Sequence, residues 1–432
     1  MRTTILSFVD DLLTRPTETA FAHKVGLRVV RWSRERTRAT AFQFARELEA
    51  RGITKGDRVL FWARNSPDWA AAFFGCLIRG VIVVPLDAQS APDFAARVAL
   101  QTEPKLLLIS DSQHSELDVQ LPRIKLDEFS GILAAHSSDP YPAKDIGEDD
   151  LVEIIYTSGT TGDPKGVCIT HRNLLATITP LEQYVQKYIK WERFVHPLRL
   201  LELLPLSHVF GQLTALFISE LIRGEVFFQE SLNPSEIIET ARCERISVIA
   251  TVPRMLDSLR DKIERQWDAQ GATEKFQRAL AGADDKHFLK RWWVFRDVHR
   301  KFGWKFWAFI AGGATLSEDA EAFWRRLGYL VVQGYGMTET ASVISYNDPF
   351  KTVKGSIGRV LPGQQVKLDE SGEILVRGNS ISPGYWSKGV MPLTADDGWL
   401  RTGDIGQMDD EGNLYFRSRK KDVIATAAGL KI

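Results

Sequence analysis

With 432 residues the chain is too long for one hydrophobic core, so two or three lobes within one globular unit are expected. Apolar residues make up 44% and charged residues 25%, which excludes a disordered or collagen-like chain. The 55 basic residues match 55 acidic ones, so the excess of positive charge that a nucleic-acid binder carries is missing.

Cys76, Cys168 and Cys243 are far apart and have no metal-ligand spacing, which fits a reducing compartment rather than a disulfide framework. Asp10 and Asp11 interrupt the apolar run near the start, a poor signal peptide, and no apolar stretch is long enough to span a bilayer. A cytoplasmic protein is expected.

In chain order, Phe44 and Leu48 stand one helical turn apart in a helix stopped by Gly52. Gly56 and Asp57 turn the chain into an apolar strand over 59–62. Asn65-Ser66-Pro67-Asp68 opens a second helix, and Gly80 precedes a strand over 81–84, followed by another over 105–109. The same rhythm returns at 246–250, 307–310 and 330–332. Continuous apolar strands separated by helices predict mainly parallel sheets covered on both faces, an α/β layered fold. From about Lys354 the texture changes to strands around Gly-containing turns, which predicts a small antiparallel β-barrel or sheet. Polar stretches at 137–149 and 272–285 are linker candidates.

The most informative stretch is Tyr156-Thr-Ser-Gly-Thr-Thr-Gly-Asp-Pro-Lys-Gly166, which follows one strand pattern and precedes another. Its glycines would let the backbone approach a polyphosphate, bare N–H groups would cradle the oxygens, and hydroxyls and a lysine would add charge-assisted contacts. Gly162-Asp163-Pro164 breaks the Walker pattern, which disfavours a P-loop hydrolase.

This segment resembles the phosphate-binding loop of the adenylate-forming superfamily, and the likeness continues in order along the chain. Its large N-terminal domain, of the long-chain fatty-acyl-CoA synthetase type, would then divide into two layered α/β subdomains over 1–353, a small β subdomain over 354–418 and a hinge segment over 419–432. The resemblance implies that Thr157, Ser158, Gly159, Thr160, Thr161, Gly162 and Lys165 hold ATP phosphates. Pro205-Leu-Ser-His-Val-Phe-Gly211 resembles the acyl-pocket motif, with His208 and Val209 beside the acyl group. Ala311-Gly-Gly-Ala314 resembles the turn that lies against adenine and the acyl chain, so Gly312, Gly313 and Ala314 join the site.

Gln333-Gly-Tyr-Gly-Met-Thr-Glu-Thr340 is the most specific match. By resemblance Tyr335 stacks on adenine, with Gln333, Gly334, Gly336 and Met337 around it. Thr338 then touches the α-phosphate and Glu339 binds magnesium. A hard cation bridging phosphate oxygens suits one carboxylate and few other protein ligands. Asp404, in Trp399-Leu-Arg-Thr-Gly-Asp404, would accept the ribose hydroxyls, since a carboxylate can take two donors at once. Arg419 would contact ribose or phosphate, and Lys421 would be the hinge pivot, with Ser418 replacing the usual glycine.

The reaction implied is attack of a substrate carboxylate on the α-phosphorus of ATP, then transfer of the acyl group to coenzyme A. No general base is needed for the first step, because the nucleophile is already ionised. Lys165, Thr338 and Glu339 are the implied catalytic groups, acting by position and charge. Members of the family continue past the hinge into a small mobile domain, so weak adenylation and little thioester formation are expected of residues 1–432 alone.

Glycine at 336, where acetate-specific relatives carry tryptophan, implies an open pocket and a medium or long acyl chain. Phe288, Trp292, Phe295 and His299 fall at helical spacing in a segment that resembles an insertion of long-chain synthetases. An amphipathic helix facing the core is expected, with peripheral membrane contact as the alternative. The acceptor is coenzyme A or an acyl carrier protein; a catalytically silent module that binds ATP or acyl-adenylate is the competing class. Relatives include homodimers, and the pattern marks no interface.

Overall fold

The computed structural model describes residues 2–110, 120–157, 164–192, 195–284, 286–348, 351–394 and 397–421. Its strands form two large mixed sheets, one of eight strands and one of thirteen.

The first sheet is built on parallel strands in the order Arg123–Lys125, Leu106–Ile109, Arg58–Trp62, Ile82–Leu86 and Leu151–Thr157. In Leu106–Ile109, Arg58–Trp62 and Ile82–Leu86 nearly every side chain is buried, so these strands read as almost continuously apolar, as parallel strands covered by helices should. The helix Pro67–Arg79 returns the chain between two of them. Ser66 Oγ accepts from Trp69 N at 3.1 Å, proline occupies the first turn, and Gly80 at φ 74° ends the helix. Gly75 lets this helix lie directly on Arg34–Ala50: a Cβ there would sit 2.8 Å from Phe44 Cδ1 and 2.9 Å from Ala41 O.

The second sheet has a parallel core in the order Thr19–Val25, Glu225–Phe228, Arg199–Glu202, Val248–Thr251, Ala308–Ala311 and Leu330–Tyr335. From Ser345–Tyr346 onward it turns antiparallel and runs through Gly358–Val360, Asn413–Arg419, Leu400–Met408, Glu373–Gly378 and Gln364–Leu368. This antiparallel end has its own small core of Ile344, Ile357, Ile374, Val376 and Leu414. Two strands of the tail, Gly384–Trp386 and Val390–Pro392, leave it and extend the first sheet beyond Lys165–Thr170.

Two expectations are corrected. The stretch 272–285 is no linker, for it contains the helix Thr273–Ala281, whose Phe276 and Leu280 lie one turn apart and are buried. Phe276 stacks on Trp267, with ring centroids 4.9 Å apart, so tertiary packing overrides the polar composition. The aromatic stripe from Phe288 is split between core and solvent. The chain breaks at Phe295 into helices Phe288–Val294 and Arg296–Phe302. Phe295 and His299 are each 2% exposed, whereas Phe288 and Trp292 are 60% and 44% exposed. Among the described residues no helix is long and apolar enough to cross a membrane.

Candidate active site

The site lies where the two sheets meet, at the carboxyl ends of their parallel strands, the usual place for ligands in open α/β sheets. Strand Leu151–Thr157 delivers Thr157, and the returning strand sets Lys165 directly opposite it. Ser158, Gly159, Thr160, Thr161 and Gly162 lie outside the described residues. Gly166 is required by close packing, since a Cβ there would meet Ile154 Cγ2 at 2.6 Å and Tyr156 Cζ at 2.8 Å.

Across from this hairpin the strand Leu330–Tyr335 carries Gln333, Gly334 and Tyr335 and runs into the 3₁₀ turn Thr338–Thr340. Gln333 is buried, while Tyr335, Gly336, Met337, Thr338 and Glu339 are partly exposed. Ala341 at φ 48° and Ser342 at φ 92° close the turn, conformations that cost non-glycine residues energy and that cluster at functional sites. Gly336 answers to that turn: a Cβ would stand 2.0 Å from Ser342 O. The idea that glycine at 336 leaves acyl space is therefore revised, because backbone fills the place a side chain would take. Gly312 is likewise filled, its would-be Cβ 2.6 Å from the Phe210 ring, whereas Gly313 (φ 80°) faces open space and Ala314 is exposed.

Asp404 is brought to Tyr335 by the strand Leu400–Met408. The Tyr335 hydroxyl donates to Asp404 Oδ2 at 2.9 Å, and Arg419 Nε lies 3.1 Å from Oδ1. Asp404 is only 4% exposed. Burial, then the adjacent Asp404 carboxylate, pushes the Tyr335 phenol well above its ordinary pKa, so it stays a donor. The side chains of Tyr335, Asp404 and Arg419 thus come together. Lys421 is the last described residue at that end.

Two residues that sequence reasoning missed complete the arrangement. Tyr385, on the strand Gly384–Trp386 paired with Val167, donates its hydroxyl to Glu339 Oε1 at 2.9 Å. Lys165 Nζ stands 5.7 Å from the centre of the same ring. One tyrosine therefore links the lysine of the glycine-rich hairpin to the proposed magnesium carboxylate. Ser382 N also donates to the Glu339 carbonyl at 2.8 Å. Glu373 holds the turn before Asp404: its Oε1 accepts from Gly403 N at 3.1 Å and its Oε2 from Lys420 Nζ at 2.7 Å. Burial alone would raise its pKa, but Lys420, the Gly403 amide and Arg401 bring it below the ordinary value. Only the flanking glycine of Gly384-Tyr385-Trp386 hinted at a strand there.

His208 caps the short helix Val209–Gln212. Its ring is reachable by solvent yet crowded by protein elsewhere; that crowding lowers its pKa, with Asp87 opposing. Val209 is buried, and Phe210 lies on Gly312, so the segment does reach the Gly312–Gly313 turn. Among the described residues no group of three metal-type side chains forms. A lone carboxylate with a phenol donor beside it suits a cation that takes most of its ligands from phosphate and water.

A profile of the AMP-binding enzyme family matches residues 11–386, and the chain belongs to that family. It is 28% identical to the long-chain-fatty-acid–CoA ligase FadD15 of Mycobacterium bovis over 421 residues, 88% of this chain and 68% of that protein. It is 33% identical to the putative fatty-acid–CoA ligase fadD11 of Mycobacterium tuberculosis over 306 residues, 65% of this chain and 52% of that protein. The N-terminal domain of FACL13 from Mycobacterium tuberculosis superimposes with a TM-score of 0.75 at 24% identity, covering 97% of this chain and all of that domain. The AMP complex of O-succinylbenzoate coenzyme A synthetase from Bacillus subtilis superimposes at 0.74 and 23% identity, over 99% of this chain and 80% of that one. Both share the fold.

Proposed function

We propose that the chain is the nucleotide- and acyl-binding part of an AMP-forming acid–thiol ligase that activates a medium- or long-chain fatty acid for coenzyme A. The observation that carries this reading is that Tyr385, with Lys165 beside its ring, meets Glu339, four residues beyond the Tyr335 that pairs with Asp404 and Arg419. Adenine would lie on Tyr335, the ribose hydroxyls on Asp404, and the phosphates between Thr157, Lys165 and Thr338. Magnesium would be held by Glu339 and would neutralise charge on the phosphates. The chain's own residues position the nucleotide and withdraw charge from it: Lys165 by its ammonium, Tyr385 by orienting Glu339, Arg419 by holding Asp404. His208, Val209 and the open turn at Gly313 would face the acyl group.

Carboxylate-dependent ATP–pyrophosphate exchange, measured on the 432-residue chain with acids from acetate to stearate, tests the reading. Exchange, and tighter binding of acyl-adenylate analogues, should rise with chain length. Preference for acetate would overturn the substrate class; AMP binding with no exchange for any acid, even with a C-terminal domain of the family appended, would favour the silent module.

Membrane contact gains support from exposed apolar side chains over 288–307. Phe288, Leu289, Trp292, Trp293, Trp304 and Trp307 are exposed. Trp292 and Trp304 line a cavity of about 490 Å³ whose wall also includes Arg242, Arg245, Arg296, Arg300 and Lys305. Burial, then Arg199 and Arg245, lowers the Lys305 pKa, a mark of crowded positive charge. Interfacial tryptophans with arginines suit an anionic lipid surface. Failure to sediment with phosphatidylglycerol vesicles would remove this part. Three cysteines outside any disulfide fit a reducing cytoplasm.

A further inference from the structure

Two carboxyl groups, Glu153 and Glu202, are wholly buried and belong to no ion pair among the described residues, and the chemistry above uses neither. Glu153 lies on the strand that delivers Thr157. Its Oε2 accepts from Gln212 Nε2 at 2.7 Å, and the other Nε2 hydrogen goes to Leu206 O at 2.9 Å. Glu153 Oε1 and Gln212 Oε1, the remaining oxygens of the two groups, are both buried without a hydrogen-bond donor. Two orphaned acceptors flanking one N–H···O bond are what an acid–amide pair looks like before its proton is drawn. A hydrogen on the acid supplies the one donor the pair lacks, and removing it leaves two buried oxygens unsatisfied.

Glu202 follows the same logic from the second sheet. Its Oε1 accepts from Leu204 N at 3.2 Å and its Oε2 lies 2.8 Å from Thr214 Oγ1. That hydroxyl also reaches Phe210 O at 3.1 Å and Gly211 O at 3.0 Å, so one hydrogen faces three oxygens and an acid proton resolves the shortage. Both acids therefore grip the stretch 204–214, which carries His208 and passes into the π-helical turn Leu213–Ile218. We infer that Glu153 is a positioning residue: carried as the neutral acid, it locks the Gln212 amide and thereby fixes the segment that presents His208 to the acyl group.

Burial raises the Glu153 pKa to about 8, with the Gln212 hydrogen bond opposing. The neighbours do not compensate. Strand Ile82–Leu86 is apolar, Ile169 is its partner on the returning strand, and Lys165 sits at that strand's far end opposite Thr157. Cys168 packs with Ile154 in the cluster on the other face, and burial pushes the Glu202 pKa up in its turn. As pH passes about 8, ionisation should place a charge against the Gln212 carbonyl oxygen and loosen the His208 segment.

This inference rests on the placement of the acyl group at His208, and the test separates the two. The steady-state rate of the full chain, or its pyrophosphate exchange, is followed from pH 6 to 9.5 in wild type, Glu153→Gln and His208→Ala. Wild type should show the KM for the carboxylate rising several-fold above about pH 8, with the KM for ATP steady. Glu153→Gln, which keeps the size and can still pair with an amide, should lose that rise, and His208→Ala should raise the carboxylate KM at every pH. An unchanged rise in Glu153→Gln beside a raised KM in His208→Ala overturns the positioning role alone. An unchanged KM in His208→Ala overturns the acyl placement and the role with it. Should Glu153→Gln fail to fold, infrared spectra of wild type decide: a protonated carboxyl band should bleach as pH passes about 8, and its absence at neutral pH overturns the inference.

Discussion

Replacing Asp404 by asparagine tests the nucleotide site most sharply, because the change keeps the size and removes only charge and one acceptor. In the structure both carboxylate oxygens are engaged, Oδ2 by the Tyr335 hydroxyl at 2.9 Å and Oδ1 by Arg419 at 3.1 Å. In the complex the same two oxygens are expected to take the ribose hydroxyls. A hydrogen bond to a charged group contributes about 1.5–3 kcal/mol and a neutral one about 0.5–1.5 kcal/mol, so each bond weakens by about 1–1.5 kcal/mol. Asparagine also turns an N–H₂ toward a donor, so both ribose contacts suffer. The sum, about 2–3 kcal/mol, predicts AMP binding weaker by about 30–150-fold in calorimetry. The discrimination between AMP and 2′-deoxy-AMP should shrink with it. Unfolding should be measured beside binding, since Tyr335 keeps an acceptor and the fold is expected to survive. AMP affinity within twofold of wild type, or full retention of the ribose discrimination, would refute the assignment.

Tyr385→Phe removes the donor to Glu339 and should raise the magnesium concentration that half-saturates nucleotide binding by about fivefold, the equivalent of about 1 kcal/mol. Gly336→Ala forces a methyl against Ser342 O and should cost about 1–3 kcal/mol in urea unfolding; a variant as stable as wild type would disprove the close approach. Asp68 offers a pH test of stability: burial, against its own backbone N–H and Arg36, raises its pKa to about 6. The folded state thus holds this proton more tightly than the unfolded state does. Its contribution is complete below about pH 3.9, the ordinary carboxyl value, and is lost as pH rises through about 6. Asp68→Asn should therefore gain up to about 3 kcal/mol on wild type between pH 4 and pH 6, and no more beyond; a constant difference in melting temperature across that range contradicts this.

The elements that could be read in the chain are those whose pattern is local. Strands buried on both faces, such as Arg58–Trp62 and Leu106–Ile109, are apolar throughout, and Ser66, Pro67 and Gly80 mark both ends of a helix by chemistry that needs no tertiary partner. The order of the motifs around Lys165, Tyr335 and Asp404 was legible for the same reason. Tyr385 was not, because it reaches Glu339 only through a strand pairing with Val167, more than two hundred residues away in the chain. Gly336 carried an ambiguous signal: glycine accommodates a ligand and a close backbone approach equally, and only the position of Ser342 O decides between them. Glu153 reads as an ordinary polar residue among apolar neighbours until Gln212 is seen to meet it.

The strand Gly384–Trp386 has a consequence for how the molecule assembles. It covers the outer edge of Lys165–Thr170, while Trp386 Nε1 donates to Gln101 O at 3.1 Å and Asn173 Nδ2 donates to Asn379 O and Ile381 O, each at 2.8 Å. Until that late segment is synthesised and returns, the first sheet exposes unpaired amides and carbonyls of an apolar strand, a template for association with other chains. The same closure is a contact of high sequence separation and is slow for that reason. A nascent chain is therefore most vulnerable to aggregation just before residue 384 emerges, and the Tyr385 contact with Glu339 arrives together with protection of the sheet edge.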